Sequence, residues 1–242
     1  MAKPRVALFI TCLADQFFPH VGECVVNILR RLDCEVVFNP AQTCCGQPAF
    51  NTGYRDEARC VARNVLDLFN DAEYVVAPSG SCTAMVRVFY PELFSDEPEL
   101  LRKAQDLQKR FFEFSEFIVK VLGVDDVGAR FAHKVTYHDS CHLLRELGVD
   151  EAPRKLLRKV QGIDLVEMND NKLCCGFGGT FSVKFPEVSV PMGQDKINAA
   201  TGTGAEYLVA ADGGCLMHIA GLIHRQGLAL KTMHLAELLA QR

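Results

Sequence analysis

Short runs of apolar and β-branched residues alternate along the chain with longer amphipathic segments. The short runs predict strands, and they lie at Val6–Thr11, Glu35–Phe38, Tyr74–Ala77, Lys134–Tyr137, Asp164–Met168 and Tyr207–Ala210. The segments between them have helical periodicity and include Val21–Leu32, Asp56–Phe69, Pro153–Val160 and Val188–Ala200, where Pro191 is expected to break or kink the last helix. Strands that alternate with helices favour parallel βαβ units, so the predicted fold class is α/β.

The chain also contains an internal repeat. Residues 72–82 read AEYVVAPSGSC and residues 205–215 read AEYLVAADGGC, with identity at seven of the eleven positions. The triplet at residues 44–46, Cys-Cys-Gly, recurs at residues 174–176, and a cysteine follows a predicted strand at Cys12 and again at Cys141. The offsets are 129, 130 and 133 residues. Three ordered matches favour an internal duplication over chance similarity, and they predict two pseudo-symmetric, Rossmann-like halves, each with a parallel sheet.

The repeat divides the chain into three parts. We predict a first half over residues 1–98, a linking helix within 99–130 and a second half over 131–242. The linking helix is expected over Leu100–Leu122, where its phenylalanines would pack as core against both halves.

Bulk composition narrows the functional classes. The chain has 242 residues and a formal net charge of −4, and it lacks a basic stripe, which argues against nucleic acid as a partner. The apolar run Val6–Ile10 is too short for a signal peptide, and other apolar runs fall short of the roughly 20 residues that a membrane-spanning helix requires. We therefore expect a cytoplasmic protein without direct membrane insertion. Eleven cysteines in such a protein indicate metal or thiol chemistry rather than disulfides.

Eight of the cysteines form two sets of four, and each predicted strand is followed within a few residues by at least one of them. The sets are Cys12, Cys44, Cys45 and Cys82, and Cys141, Cys174, Cys175 and Cys215. Because ligands of parallel sheets bind beyond the carboxyl ends of the strands, each set is expected to form one metal site. Four thiolates suit a tetrahedral zinc or an iron–sulfur cluster. Vicinal cysteines are unusual for zinc, whose paired ligands are normally two to four residues apart, and this favours a cluster.

The doubled pattern of Cys, Cys-Cys-Gly and a Gly-rich Cys resembles the cysteine-rich CCG family. That family includes the cysteine-rich subunit of heterodisulfide reductase and the iron–sulfur subunit of glycolate oxidase. The resemblance covers about residues 5–235 and is greatest to short members that act in lactate utilisation and carry no appended ferredoxin motifs.

The resemblance implies an iron–sulfur electron-transfer subunit of a cytoplasmic L-lactate-oxidising complex. It implies [4Fe–4S] clusters held by the eight motif cysteines, with zinc possible at one site. It also implies two partners, a ferredoxin-like iron–sulfur subunit and a third subunit. No flavin-binding fingerprint is present, so hydride removal from a substrate would need chemistry from elsewhere.

One departure from the family leaves two alternatives open. In the heterodisulfide reductase branch the motif ends in Cys-x-x-Cys and supplies five thiolates, whereas Ser79 and Asp212 occupy the corresponding first positions here. These residues would offer oxygen ligands or none. The missing cysteines count against the first alternative, a thiol/disulfide reductase subunit of the heterodisulfide reductase type. The vicinal cysteines count against the second, a zinc-binding scaffold subunit.

Several other residues lie close to the motif cysteines. Four glycines would either bring backbone N–H groups to cluster sulfurs or only shape turns, namely Gly46, Gly176, Gly178 and Gly179. Histidines flank Cys141 at His138 and His142, and either could be a metal ligand. Positions three before and one after a cysteine do not easily both face one site, so we interpret them as capping or surface residues. Asp139 or Ser140 is the expected N-cap of the next helix. Three cysteines without counterparts in the repeat are predicted to be buried and not to bind metal, namely Cys24, Cys34 and Cys60.

Overall fold

A computed structural model describes residues 3–242 as two four-stranded sheets in which all neighbouring strands are parallel. The first sheet contains β1 (Arg5–Leu8), β2 (Glu35–Phe38), β3 (Tyr74–Ala77) and β4 (Phe111–Glu113). The second contains β5 (Lys134–His138), β6 (Asp164–Leu165), β7 (Tyr207–Ala210) and β8 (Lys231–His234). The spatial orders are β2–β1–β3–β4 and β6–β5–β7–β8. The two halves thus have the same topology, which confirms the predicted α/β fold and fits the duplication.

Helices connect the strands of both sheets. Those of the first half and the connecting region are α1 (Cys12–Phe17), α2 (Pro19–Arg31), α3 (Gln47–Asn51), α4 (Arg55–Leu68), α5 (Gly80–Ala84), α6 (Tyr90–Leu93), α7 (Pro98–Gln108) and α8 (Phe114–Glu116). The rest are α9 (Glu151–Arg158), α10 (Phe181–Lys184), α11 (Pro186–Gly202), α12 (Gly213–Gln226) and α13 (Leu235–Ala240). Single π-helical turns lie at Met85–Phe89, Phe117–Val121 and His142–Glu146. Within residues 3–242, no helix combines the length and the apolar character needed to cross a membrane.

The prediction of one linking helix over Leu100–Leu122 is wrong. The helix ends at Gln108, and the chain then forms the edge strand β4 before turning into α8. The apolar residues of this stretch are core as predicted, since Phe111, Phe114 and Phe117 are fully buried. The helical spacing of the phenylalanines was misleading because Phe111 and Phe112 lie in a strand of three residues and Phe114 directly follows it. The domain boundaries at residues 98 and 131 remain a prediction.

Pro191 lies inside α11 and does not end it. A proline has no N–H to donate to the carbonyl four residues earlier in a helix. For Pro191 this is the carbonyl of Glu187. Glu187 is an exposed residue, and the helix continues to Gly202. The predicted break is therefore wrong, and a kink at Pro191 stays a prediction.

One hydrophobic core joins the two halves. Helix α2 of the first half packs against α13 of the second, and the buried cluster that contains Val25 and Ile28 also contains Leu235 and Leu239. The Arg31 guanidinium donates a hydrogen bond to the Leu239 carbonyl at 3.3 Å. The halves therefore share apolar surface, and the carboxyl ends of their strands are held in a fixed relation.

Strand β4 ends in a buried carboxylate. Glu113 is fully buried, and its Oε2 accepts hydrogen bonds from the backbone N–H groups of Ser115 at 2.8 Å and Glu116 at 3.1 Å. Its Oε1 has no hydrogen-bond partner among the described residues. Burial raises the pKa of Glu113 to about 7.

This raised pKa predicts a pH-dependent stability. The folded protein retains the Glu113 proton between the ordinary carboxyl pKa of 4.5 and about 7, whereas the unfolded chain releases it, so the free energy of unfolding falls as pH rises through this window. Glu113→Gln should therefore raise the free energy of unfolding by about 1–3 kcal/mol at about pH 8, and much less at about pH 5. Denaturant unfolding of both proteins at both pH values measures this, and an equal gain at the two values would contradict it.

Candidate metal centres

The four cysteines of the first set meet at the carboxyl ends of the first sheet. Cys12 begins α1, Cys44 and Cys45 lie in the loop before α3, and Cys82 lies in α5. The sulfur atoms of Cys12 and Cys44 are 3.6 Å apart, and those of Cys45 and Cys82 are 3.3 Å apart. Three segments that are distant in sequence therefore bring the four thiols together.

The second set has a corresponding arrangement. Cys141 precedes the π-helical turn after β5, Cys174 and Cys175 lie in the loop after β6, and Cys215 lies in α12. The thiol of Cys174 interacts with those of Cys141 and Cys175, and the thiol of Cys175 interacts with that of Cys215. Both halves thus bring together the four cysteines that the repeat pairs.

A left-handed glycine follows each vicinal pair. Gly46 has φ of 84° and Gly176 has φ of 87°, and the backbone N–H of each donates to the sulfur of the first cysteine of its pair at 3.4 Å. Positive φ is accessible to glycine without strain, and it turns the chain sharply enough for both thiols to face one site. These two glycines therefore shape the turns and place an N–H group on a cysteine sulfur, and an effect on a cluster stays a prediction.

Gly178 and Gly179 have a different local role. Both have positive φ, at 53° and 64°. The Gly178 carbonyl accepts a hydrogen bond from the Phe181 backbone, and the Gly179 carbonyl accepts one from the Ser182 hydroxyl at 2.9 Å. They shape the turn into α10, and a contribution to the electronic properties of a cluster stays a prediction.

The first thiol of each vicinal pair has a lowered pKa. Hydrogen bonds from Cys12 and Cys45 lower the pKa of Cys44 to about 3. In the second half the pKa of Cys174 falls to about 2, and the largest cause is the hydrogen bond with Cys141. Thiolate is the form of cysteine that binds metal, so each set presents at least one ready ligand at neutral pH.

The structure contradicts the interpretation of His138 as a capping or surface residue. The side chain is fully buried at the end of β5, and neither ring nitrogen has a hydrogen-bond partner of normal geometry within residues 3–242. Its nearest ring nitrogen, the Cys175 sulfur and the Cys215 sulfur all lie within 4.8 Å of one another. Burial, then the charge of Lys196, lowers the pKa of His138 to about 3, which leaves the imidazole neutral.

His142 lies on the other side of Cys141 and is partly buried. Its Nδ1 is 3.6 Å from the Cys141 sulfur, and its ring packs edge-on against Phe89. His142 therefore contacts the edge of the second set, whereas His138 faces the set from inside the protein.

Ser79 and Asp212, at the positions of the absent fifth cysteines, cap helices and bind each other. The Ser79 hydroxyl accepts from the Cys82 backbone N–H at 3.2 Å, and the Asp212 carboxylate accepts from that of Gly214 at 3.1 Å. The Ser79 hydroxyl also donates to Asp212 at 3.1 Å, and Asp212 accepts from the Ser81 backbone N–H at 2.8 Å. These polar groups are engaged in joining the halves, between the helices that carry Cys82 and Cys215.

The segment before Cys141 is anchored by a buried ion-pair network. Arg154 of α9 donates to both carboxylate oxygens of Asp139, at 2.8 and 2.7 Å, and also binds Asp150 and Glu167. Asp139 is buried and is engaged with Arg154 rather than serving as the expected N-cap. Nothing in the local sequence pairs Asp139 with Arg154, so only the folded chain reveals this support.

The three remaining cysteines lie outside both sets. Cys24 and Cys34 are buried as predicted, whereas Cys60 on α4 is exposed, which corrects the prediction for that residue. The Cys24 sulfur is 3.5 Å from His20 Nε2, and the Cys34 sulfur is 3.9 Å from the Leu32 carbonyl. Cys60 follows the helical periodicity of α4 but falls on its outer face.

Comparison with known proteins agrees with this geometry. The profile of the cysteine-rich domain family CCG matches residues 6–87 and 135–220. The two matched segments each enclose one complete set of four cysteines. The chain belongs to the cysteine-rich CCG domain family.

Relatives of this CCG protein match it over nearly its whole length. It is 51% identical to Lactate utilization protein A of Exiguobacterium sp. over 98% of this chain and 97% of the relative. It is 49% identical to Lactate utilization protein A of Bacillus subtilis over 98% of this chain and 100% of the relative. Among solved structures, a hypothetical protein from Helicobacter pylori matches with a TM-score of 0.67 and 11% identity, over 99% of this chain and 49% of that chain. This last likeness shows the fold alone.

Proposed function

We propose that this CCG protein is the iron–sulfur electron-transfer subunit of a cytoplasmic complex that oxidises L-lactate or another 2-hydroxy acid. The observation that carries the proposal is the doubled set of four convergent thiols at the carboxyl ends of two parallel sheets. The chain's similarity to proteins named Lactate utilization protein A supports the link to lactate. The proposed partners are a ferredoxin-like iron–sulfur subunit and a third subunit.

The donor atoms suit the proposed cofactor. Soft thiolates select iron in clusters or zinc. Two adjacent thiolates followed by a sharp turn bind a cluster several ångströms across more readily than they bind a single ion. An iron–sulfur cluster, of the [4Fe–4S] type in this proposal, supplies one-electron transfer when bound. The chain contributes the thiolates, of which half are buried and half partly exposed, and the N–H groups of Gly46 and Gly176 that donate to sulfur.

Anaerobic purification tests the cofactor directly. We expect brown protein with iron and acid-labile sulfide in similar amounts, and a visible absorbance that bleaches on chemical reduction. Mixed with its partner subunits, the protein should be reduced by L-lactate, and its bleaching reports electron arrival without any assumption about the active site. Colourless protein that contains zinc and no sulfide would reject the iron–sulfur proposal.

The geometry gives less support to the two alternatives. A disulfide reductase of the heterodisulfide type would need the fifth thiolates, but Ser79 and Asp212 occupy those positions and are engaged as helix caps. A zinc-binding scaffold is favoured only by the nitrogen of His138 near the second set. Reduction of a disulfide substrate by the purified protein would support the first alternative, and zinc in both halves would support the second.

A further inference from the structure

His138 is an unusual buried side chain. Buried polar groups almost always have hydrogen-bond partners, because leaving one unpaired costs free energy. Both ring nitrogens of His138 lack a partner of normal geometry within the described chain, although the side chain is fully buried. The Asn171 backbone interacts with the ring only outside normal hydrogen-bond geometry, so the imidazole has a nitrogen to offer to another partner.

The surroundings of the ring point to a metal. The imidazole nitrogen and the sulfurs of Cys175 and Cys215 form a compact group with no pair separated by more than 4.8 Å. Ligand atoms around one tetrahedral ion are about 3.5–3.8 Å apart, given Zn–N and Zn–S bonds of about 2.0–2.3 Å. Small side-chain rotations would therefore let all three atoms bind one metal atom. Imidazole and thiolate together suit zinc and iron.

The first half provides an internal comparison. Phe9 occupies the position equivalent to His138, three residues before the first motif cysteine. Its ring packs edge-on against Phe69 and Phe111, with centroids 5.7 and 5.4 Å away. The fold therefore accommodates an aromatic hydrocarbon at this position, and a polar ring is a special feature of the second half.

We propose that His138 is a ligand of the metal in the second half, where it joins Cys175 and Cys215 in a mixed nitrogen–sulfur donor set. The first centre has cysteine ligands alone, so the two centres differ chemically. Because imidazole is neutral, a redox centre that it binds in place of thiolate has a higher reduction potential. The inference rests on the proposed metal binding at the second set. Its test distinguishes failure of that metal binding from failure of the His138 ligand.

Cobalt(II) is a suitable probe, because it reports its ligands by absorbance. In the full-length protein with Cys44→Ser and Cys45→Ser, we expect anaerobic, metal-free protein to bind one Co²⁺ in the second half with sulfur-to-cobalt charge-transfer bands. Adding His138→Phe should weaken binding by more than the roughly 10–100-fold caused by losing a group outside the coordination sphere. His138→Cys should restore most of the affinity and intensify the charge-transfer bands. His133→Phe, at a solvent-accessible histidine of the same half, should change neither.

The outcomes separate the two levels of the proposal. Absence of Co²⁺ binding with His138 intact would reject the metal site of the second half. Binding that is unchanged by His138→Phe would overturn the histidine ligand and leave the metal site standing. Circular dichroism checks that each variant folds. If His138→Phe does not fold, X-ray absorption of the Co²⁺-loaded protein with His138 decides, since a coordination shell without imidazole scattering would also overturn the proposal.

Discussion

Replacing Cys44 by Ser is expected to remove the metal from the first half and leave the second half loaded. Cys44 is the first thiol of its vicinal pair and interacts with both Cys12 and Cys45. Its sulfur is 3.6 Å from that of Cys12, and its pKa is lowered to about 3. A hydroxyl is a poor substitute, because its oxygen is harder than thiolate sulfur and stays protonated at neutral pH. Iron content should fall by about half, and electron transfer through the complex should be abolished if both centres lie on the path.

The repeat supplies a mirrored experiment. Cys174→Ser should produce the same loss in the second half, because Cys174 occupies the equivalent position and its pKa is lowered to about 2. Iron and sulfide content, together with the electron paramagnetic resonance spectrum of the reduced protein, would show that the two variants retain complementary signals. Identical residual spectra from both variants would contradict two independent centres.

Serine substitutions outside the sets are the matched controls. Cys60→Ser alters an exposed thiol on α4, and the free energy of unfolding should change by no more than about 0.5 kcal/mol. Cys34→Ser places a hydroxyl in a buried position and should cost about 1 kcal/mol without loss of metal. Metal loss in either control comparable to that in Cys44→Ser would show that the effect arises from general destabilisation.

Much of the fold follows from local sequence. The central strands of both sheets are short apolar runs bounded by turn residues, and β2, β3 and β7 have the predicted bounds. Because the two halves repeat, each prediction in one half supported its counterpart in the other. Strands β4 and β8 were missed for different reasons. The phenylalanines of β4 fall within a run of helical spacing, and β8, with the sequence Lys-Thr-Met-His, has no apolar run.

The candidate centres were predictable only in part. The cysteines stood out because thiol pairs followed by glycine recur at equivalent positions. The role of His138 was not decided by the sequence, because a single histidine beside Cys141 suits a ligand, a cap or a surface residue, and only the folded chain shows that it is fully buried. The alignment of the halves did contain a signal, since it placed His138 opposite a strand-end phenylalanine. The capping roles of Ser79 and Asp212 were also readable, because each precedes a Gly-x-Cys segment that begins a helix.

Gly176→Ala should disrupt the second centre more than any other glycine substitution near it. A Cβ at this position would lie 2.5 Å from the Ser189 carbonyl oxygen and 3.0 Å from the Met192 Cβ, so the turn would have to move away from α11. The same turn is held by the Ser189 hydroxyl, which donates to the Gly176 carbonyl at 2.7 Å. Left-handed strain of roughly 1–2 kcal/mol and overpacking of roughly 1–3 kcal/mol should both lower the free energy of unfolding.

Gly179→Ala distinguishes the effect of left-handed backbone strain from that of a steric clash with α11. Gly179 also has positive φ, at 64°, but a Cβ there would meet no atom within 4 Å, so only the roughly 1–2 kcal/mol of backbone strain is expected. Gly176→Ala should displace Cys174 and Cys175 and lose metal from the second half, whereas Gly179→Ala should retain it. Denaturant unfolding and metal content of the two variants measure both effects. Equal losses would mean that positive φ alone, and not the close approach to α11, holds the vicinal thiols in place.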